Sequence, residues 1–143
     1  TNKVIASPVA KEAETTAVVQ QPAEKIRWLR PSEMVGAYEH NEVAADKYFK
    51  GEVFAVKGRV KEISKDMLGS PYVTLTDDAL SASSSFRVVQ AAFSRNDEDI
   101  LASLRPGQML TVACKVQGLM MNVQLSGCRV PDKSEVGENV WKK

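Results

Sequence analysis

Histidine and cysteine are scarce in this chain, whose 143 residues include one histidine, His40, and two cysteines, Cys114 and Cys128. Zinc sites and catalytic bases rely largely on these residue types. The cysteines have no Cys-x-x-Cys spacing, and a pair so placed forms neither a metal motif nor a disulfide framework. We therefore expect no metal site and no cofactor. An enzyme is also not expected, because the paired acids Asp77-Asp78 and the serines near Ser83 lack a partner base.

Long apolar runs and strong charge are absent as well. No stretch approaches the roughly 18 apolar residues of a membrane-spanning helix. The sequence shows no signal-peptide pattern, and Thr1 is expected to be a processed or engineered start. The formal net charge is +1, and no segment forms the basic block of a protein that grips DNA mainly through its phosphates. Tight non-specific DNA binding is therefore not expected.

What the chain does contain is a clear strand pattern in residues 51–64. Apolar Val56, Gly58 and Val60 alternate with Lys57 and its cationic neighbours, and this period of two is typical of a half-buried strand. A glycine within a strand usually marks a bulge, a bend or a close backbone approach. A long strand bent in this way allows a small sheet to close into a barrel.

Four further strands follow from β-prone runs bounded by turn residues. They are predicted at residues 72–76, 86–93, 109–116 and 122–130. Between the third and fourth strands the period changes to helical. Ser94 or Asn96 should cap a helix over residues 97–104, and Pro106-Gly107 should end it.

A helical segment is also predicted before the first strand. Pro31 and Ser32 should open it, with Ser32 as the N-cap, and Asn41 should cap a second part after a break. Gly51 then ends the helix. The whole order predicts a mainly β protein: a five-stranded OB-fold Greek-key barrel with a helix between strands three and four, preceded by an N-terminal helix that plugs the barrel.

The domain organisation expected from composition has three parts: a tail or tether at residues 1–30, the OB-fold domain with its leading helix at 31–130, and a polar C-terminal tail at 131–143. A weak helix from Ser7 is a further option within the first tail. Alternatively, residues 3–6 could cover the open barrel edge of a second copy by strand addition. Trp28 and Leu29 would then be the apolar anchors of at least a dimer.

Residues 37–51, which include Asn-Glu-Val-Ala-Ala-Asp-Lys at 41–47, resemble the opening of the tRNA_anti-like family of bacterial OB-fold proteins. The resemblance continues through Val56-Lys57-Gly58-Arg59-Val60 and as far as Cys128. It implies an OB-fold, nucleic-acid binding and a lipid-anchored location on the periplasmic side of the bacterial envelope, with the tail as a tether after a lipidated cysteine. The resemblance implies no catalytic residue.

Single-stranded nucleic acid or another oligomer is the first ligand hypothesis. OB-folds usually bind on the face of strands two and three, and aromatic and cationic side chains on that face could stack bases and follow phosphates. Cross-strand packing and a solvated charged face would explain the same pattern. The candidate residues are Lys57, Arg59, Lys61, Lys65, Tyr72, Thr74, Phe86 and Arg87.

The second hypothesis is a protein-interaction module of the cell envelope. Leu119, Met120 and Met121 lie in the connection between strands four and five, and methionine-rich surfaces suit protein partners. These side chains could instead fold under and cap the barrel. We also expect Cys114 and Cys128 to be buried free thiols, because the expected loop offsets them along their neighbouring strands.

Overall fold

The computed structural model describes residues 24–141. The expectations for residues 1–23, a helix from Ser7 and strand addition by residues 3–6, lie outside this described part. The elements, in chain order, are β1 (Ile26–Leu29), α1 (Pro31–His40), α2 (Glu42–Phe49), β2 (Val53–Lys65), β3 (Pro71–Thr76), α3 (Asp78–Ala82), β4 (Val89–Ala92), α4 (Glu98–Ala102), β5 (Met109–Met120), β6 (Asn122–Arg129) and β7 (Val136–Asn139). Within residues 24–141, no helix is long and apolar enough to cross a membrane.

Strand β2 organises the barrel because its first half pairs with one strand and its second half with another. Residues 53–59 pair with β5, and residues 59–65 pair with β3, both antiparallel. Strand β4 then joins β3 to β6, and β6 pairs with β5. Five strands therefore close into one barrel, as the alternation of residues 51–64 predicted.

Gly58 allows a close approach between β2 and the start of α1. A Cβ atom at this position would lie 2.6 Å from Cγ of Pro31 and 3.0 Å from the backbone oxygen of Thr76. The bulge itself lies further on, where the register with β3 shifts between Val60 and Glu62. Of the three roles that the sequence left open for Gly58, the structure shows the close approach.

The barrel interior is filled by the residues that the strand patterns placed inward. Val56, Val73, Leu75, Val89 and Val112 are fully buried. Helix α1 covers this core with Met34, Val35 and Tyr38, and α2 adds Phe49. The leading helical segment therefore plugs the barrel, as expected.

The first turn of α1 differs from the expectation. The helix begins at Pro31, so Ser32 lies inside it and is not the N-cap. The carboxylate of Glu33 accepts the Arg30 N–H at 2.8 Å, and the carboxylate of Asp77 accepts the Ser32 N–H at 2.9 Å. Acidic side chains thus satisfy the free donors of this turn. The expected cap of α2 is confirmed, since Asn41 accepts the N–H of Ala44 at 3.0 Å.

Two strands had no counterpart in the sequence pattern. Strand β1 pairs in parallel with β2, and β7 pairs in parallel with β1. Leu29 is fully buried, and Val140, after β7, is 5% exposed. Four-residue strands of this kind escape prediction because they contain too few alternations, and their partners are distant in sequence.

The expected pair of free thiols is wrong, because Cys114 and Cys128 form a disulfide with a Cα–Cα distance of 4.3 Å. Strand β5 continues to Met120, so residues 117–120, expected as part of a loop, are strand. The hairpin turns at Met121, midway between two cysteines that are 14 residues apart. Bulges near Gly118 and Gly127 shift the register in opposite directions and cancel, so the cysteines face each other.

Candidate binding site

Trp28 and Lys57 form the centre of a cleft on the outer surface of β1 and β2. Trp28 pairs with Ala55, and Lys57 follows two residues later on the same face. The ammonium nitrogen of Lys57 lies 4.2 Å from the centroid of the indole ring, and the guanidinium carbon of Arg30 lies 5.4 Å from it. The cleft has a volume of about 430 Å³. Its lining residues are Trp28, Arg30, Lys57, Arg59, Asp77, Asp78, Ala79 and Met109.

The charges of this Trp28 cleft are unequally compensated. Nη2 of Arg59 lies 2.6 Å from Oδ1 of Asp78, an exposed ion pair at the start of α3. Within residues 24–141, Lys57 has no carboxylate partner. Among the described residues, its ammonium group contacts the indole and no carboxylate, so it is available to an anion.

Asp77 lies at the edge of this cleft and stabilises the fold. Its two oxygens accept the backbone N–H groups of Ser32 and Leu80, at 2.9 and 2.8 Å. Burial favours the neutral form, but the hydrogen bonds from Ser32 and Leu80 and the charge of Arg30 outweigh it and lower the pKa of Asp77. The carboxylate is thus held ionised between the N-termini of two helices.

Phe86 marks a second recess on the other side of α3. Its ring is 72% exposed, with the guanidinium carbon of Arg87 5.1 Å from its centroid. Arg87 also forms an ion pair with Glu39 at 3.1 Å. Lys61 lines the same recess of about 310 Å³. Three of the predicted site residues, Lys61, Phe86 and Arg87, therefore lie together.

The structure does not bring Lys65, Tyr72 and Thr74 into either recess. Lys65 pairs with Glu98 at 3.4 Å near the opposite end of β3, and Tyr72 lies at that end too. Thr74 has the expected outward parity, opposite Glu62 and Gln90, but is only 5% exposed, and its hydroxyl has no hydrogen-bond partner. The eight predicted residues thus do not form one platform, since two line the Trp28 cleft, three line the second recess and three lie outside both.

The β5–β6 turn presents two exposed methionines. Met120 and Met121 are each 74% exposed, whereas Leu119 packs against the core. Met67 and Leu68, in the β2–β3 connection, are also exposed. Of the two alternatives for this turn, the methionines project outward and Leu119 folds under.

Trp28, Arg30 and Met109 are the site residues that the sequence did not assign. The sequence pattern predicts Trp28 only as an apolar anchor and Arg30 only as part of a tail. The available signal was the Arg-x-x-Arg pair that flanks Trp28 at positions 27 and 30. Met109 lies opposite Arg59 in the β2–β5 register, so it reaches the cleft only through strand pairing.

The two recesses offer cations and aromatic faces, which can bind anions and planar rings. Among residues 24–141, no group of three or more histidine, cysteine or acidic residues could hold a metal ion. The cleft residues include no histidine or serine.

The model of the family described as "tRNA_anti-like" matches residues 2–129 of the chain. The chain belongs to this family. The match covers both recesses and all five barrel strands, so the resemblance seen in the sequence is confirmed together with the barrel fold. Among curated proteins, none matches this chain.

Solved structures support the same fold. A proposed nucleic acid-binding lipoprotein from Klebsiella pneumoniae subsp. pneumoniae superposes with a TM-score of 0.60 at 18% identity, covering 75% of this chain and 92% of that one. A replication factor A related protein from Methanobacterium thermoautotrophicum has a TM-score of 0.41 at 19% identity, covering 58% and 84%. The first similarity supports the fold of this family member, and the second is too distant to add to it.

Proposed function

We propose that this chain is a non-enzymatic OB-fold module that binds single-stranded nucleic acid along the outer surface of β2. The observation that carries the proposal is a row of three cations, Lys57, Arg59 and Lys61, between two accessible aromatic rings, Trp28 and Phe86. We call these five residues the β2 track. Family membership supports the class of ligand.

The spacing of the β2 track suits a flexible polyanion. Alternate residues of a strand are about 7 Å apart on one face, which sets the spacing of Lys57 and Arg59, and Lys61 follows at the bulge between Val60 and Glu62. Aromatic rings at the two ends can each stack a base without sequence preference. With three cations and a net charge of +1 for the chain, we expect moderate and strongly salt-dependent affinity.

Fluorescence anisotropy with a labelled oligothymidylate tests the proposal directly. Each phosphate contact on a single strand contributes about 0.7 to the slope of log K against log salt. Replacing Lys57, Arg59 and Lys61 together by alanine should lower that slope by about 2. Lys115→Ala, which removes an exposed cation on β5 outside the β2 track, should leave it unchanged. Absence of binding at low salt would remove the nucleic-acid function.

The same proposal places the protein in the bacterial envelope, on the periplasmic side and lipid-anchored. The Cys114–Cys128 disulfide supports this, because disulfides persist in oxidising compartments. The lipoprotein name of the Klebsiella structure agrees with it. Fractionation of cells that produce the natural full-length protein, with membrane and soluble fractions probed separately, tests the location. Recovery in the cytosol with reduced cysteines would contradict it.

A protein-interaction module is the second candidate, and it depends on the exposed Met120 and Met121. Flexible thioether side chains adapt to protein surfaces, and an envelope partner would suit the proposed location. Crosslinking in cells from a photoreactive residue at position 121 should then capture a specific protein. A matched crosslinker at exposed Met67 controls for general stickiness, and equal capture at both positions would reject the candidate.

A homo-oligomer stays a proposal of the same kind. Leu29 is fully buried within its own chain, and both Trp28 and Leu29 pair with β2. Light scattering on the full chain and on a chain that lacks residues 1–23, which keeps β1, would test whether any dimer exists and depends on that segment. A monomer in both cases would remove the proposal.

A further inference from the structure

The Trp28 cleft is the larger of the two recesses along the β2 track, and it is partly apolar. Its volume of about 430 Å³ lies within the range typical of small-ligand pockets, about 300–1,000 Å³. Trp28 and the 64% exposed Met109 supply apolar surface, and Lys57 and Arg59 supply charge. We infer that this cleft is a nucleotide subsite, in which a single base stacks on Trp28 while its phosphate lies between Lys57 and Arg59. The inference rests on the proposed function and deepens it.

The contact between Lys57 and Trp28 is the first observation that supports the inference. Its ammonium group lies over the indole at 4.2 Å and, within residues 24–141, has no carboxylate partner. Lysine is a flexible point charge, so it can leave the ring for a phosphate close by. The base then takes the position over the indole, and stacking between the two rings replaces the cation–π contact. Lys57 therefore occupies the place that the base fills.

The opposite wall of the cleft can accept a phosphate as well. Among the described residues, Arg59 forms its ion pair with Asp78, whose side chain is 91% exposed, and an exposed ion pair of this kind is weak. The guanidinium fork can instead bind phosphate oxygens in a bidentate manner. Asp77 is already engaged with the fold, since each of its oxygens accepts one backbone N–H group.

The cleft is also held rigidly from behind. The Trp28 carbonyl accepts the N–H of Val140 at 2.9 Å and the side-chain amide of Asn139 at 3.2 Å. Strand β1 is thereby fixed between β2 and β7. A stacking ring on a strand paired on both sides is already positioned for its ligand, which lowers the entropy cost of binding.

The test uses the intrinsic fluorescence of Trp28 in a Trp141→Phe background, which leaves one tryptophan in the chain. The probes are adenosine 5′-monophosphate, adenosine and inorganic phosphate. Adenosine 5′-monophosphate should quench the emission saturably and bind more tightly than either of the other two. Lys57→Ala should weaken this binding about 10-fold or more, and Lys115→Ala should leave it unchanged. Equal affinity for inorganic phosphate, or no saturable quenching, would overturn the subsite.

A second measurement keeps the result independent of fluorescence and of the stability of β1. Calorimetry on Trp28→Phe, which retains a stacking ring, should show adenosine 5′-monophosphate binding with reduced affinity, and Trp28→Ala should abolish it. If oligothymidylate binds but the mononucleotide does not, the subsite fails while the proposed function stands. If the mononucleotide binds and no oligonucleotide does, the proposed function fails and the subsite stands.

Discussion

The carboxylate of Asp77 accepts the backbone N–H of Ser32 at 2.9 Å, across 45 residues of sequence. Its other oxygen accepts the N–H of Leu80 in α3. One acid therefore ties the start of the plugging helix α1 to the end of β3 and the start of α3. This link lies directly beneath the Trp28 cleft, so it connects the stability of the fold with the shape of the site.

We expect Asp77→Asn to lower the free energy of unfolding by about 1 kcal/mol at neutral pH, because the amide has one acceptor oxygen for the two N–H groups and lacks the charge that favours the helix N-termini. The folded-state pKa of Asp77 is lowered. Its contribution is therefore complete above the unfolded-state value of 3.8 and is lost as the pH falls through the lower folded-state value. Urea denaturation across the acidic range measures both effects.

The variant should accordingly lose less stability on acidification than the unmodified chain. Asp99→Asn, at an exposed position in the first turn of α4, is the matched control and should change stability little. If the free energy of unfolding fell equally with pH in Asp77→Asn and in the unmodified chain, the Asp77 carboxylate would not be the source of the pH dependence.

Removal of the Cys114–Cys128 disulfide should destabilise the barrel substantially. The cysteines are 14 residues apart. A disulfide that closes a loop of about 15 residues stabilises the fold by about 3 kcal/mol, because it lowers the entropy of the unfolded chain. The Cys114→Ala/Cys128→Ala variant should therefore show a lower urea midpoint than the oxidised chain. Thiol titration of the denatured, unreduced protein should find no free thiol. Two thiols in that titration would contradict the disulfide.

Gly58→Ala should destabilise the fold by about 1–3 kcal/mol, since overpacking of a close contact costs that much. The added carbon would lie 2.6 Å from the ring of Pro31 and 3.0 Å from a backbone oxygen of Thr76. The control is Gly36→Ala, in an exposed part of α1 with nothing within 4 Å. That change should stabilise the helix by about 0.5–1 kcal/mol. Equal effects in thermal unfolding would disprove the close approach.

Asn139→Ala should weaken both the fold and the Trp28 cleft. The side-chain amide donates to the Trp28 carbonyl at 3.2 Å and to Glu33 at 3.0 Å, and losing partly buried hydrogen bonds costs about 1–3 kcal/mol. Hydrogen exchange should report faster opening of β1 than in the unmodified chain. The exposed Asn96→Ala change serves as the comparison, and unchanged exchange in both would mean that β7 does not hold β1.

Part of the site could be predicted from the sequence, namely the outward parity of Lys57 and Arg59 and the exposure of Phe86. The parity of Lys57 and Arg59 follows from local alternation within one strand. Phe86, by contrast, precedes β4 (Val89–Ala92), although the sequence pattern predicts a strand from residue 86. The neighbours of these side chains depend on strand pairing and helix packing, which alternation does not determine. Lys61 and Phe86 share a recess across the barrel wall, whereas Tyr72 lies at the far end of β3.

The sequence by itself determined the five barrel strands, the plugging helices and the inward residues, since each depends on periodicity and caps within a short segment. Only the tertiary structure decided the Trp28 cleft and the disulfide. The cleft needs β1, which is strand only because β2 and β7 lie on either side of it. The disulfide needs a hairpin centred on Met121 with two compensating bulges. Both depend on register between strands, and register is fixed by pairing across the sheet rather than by either segment alone.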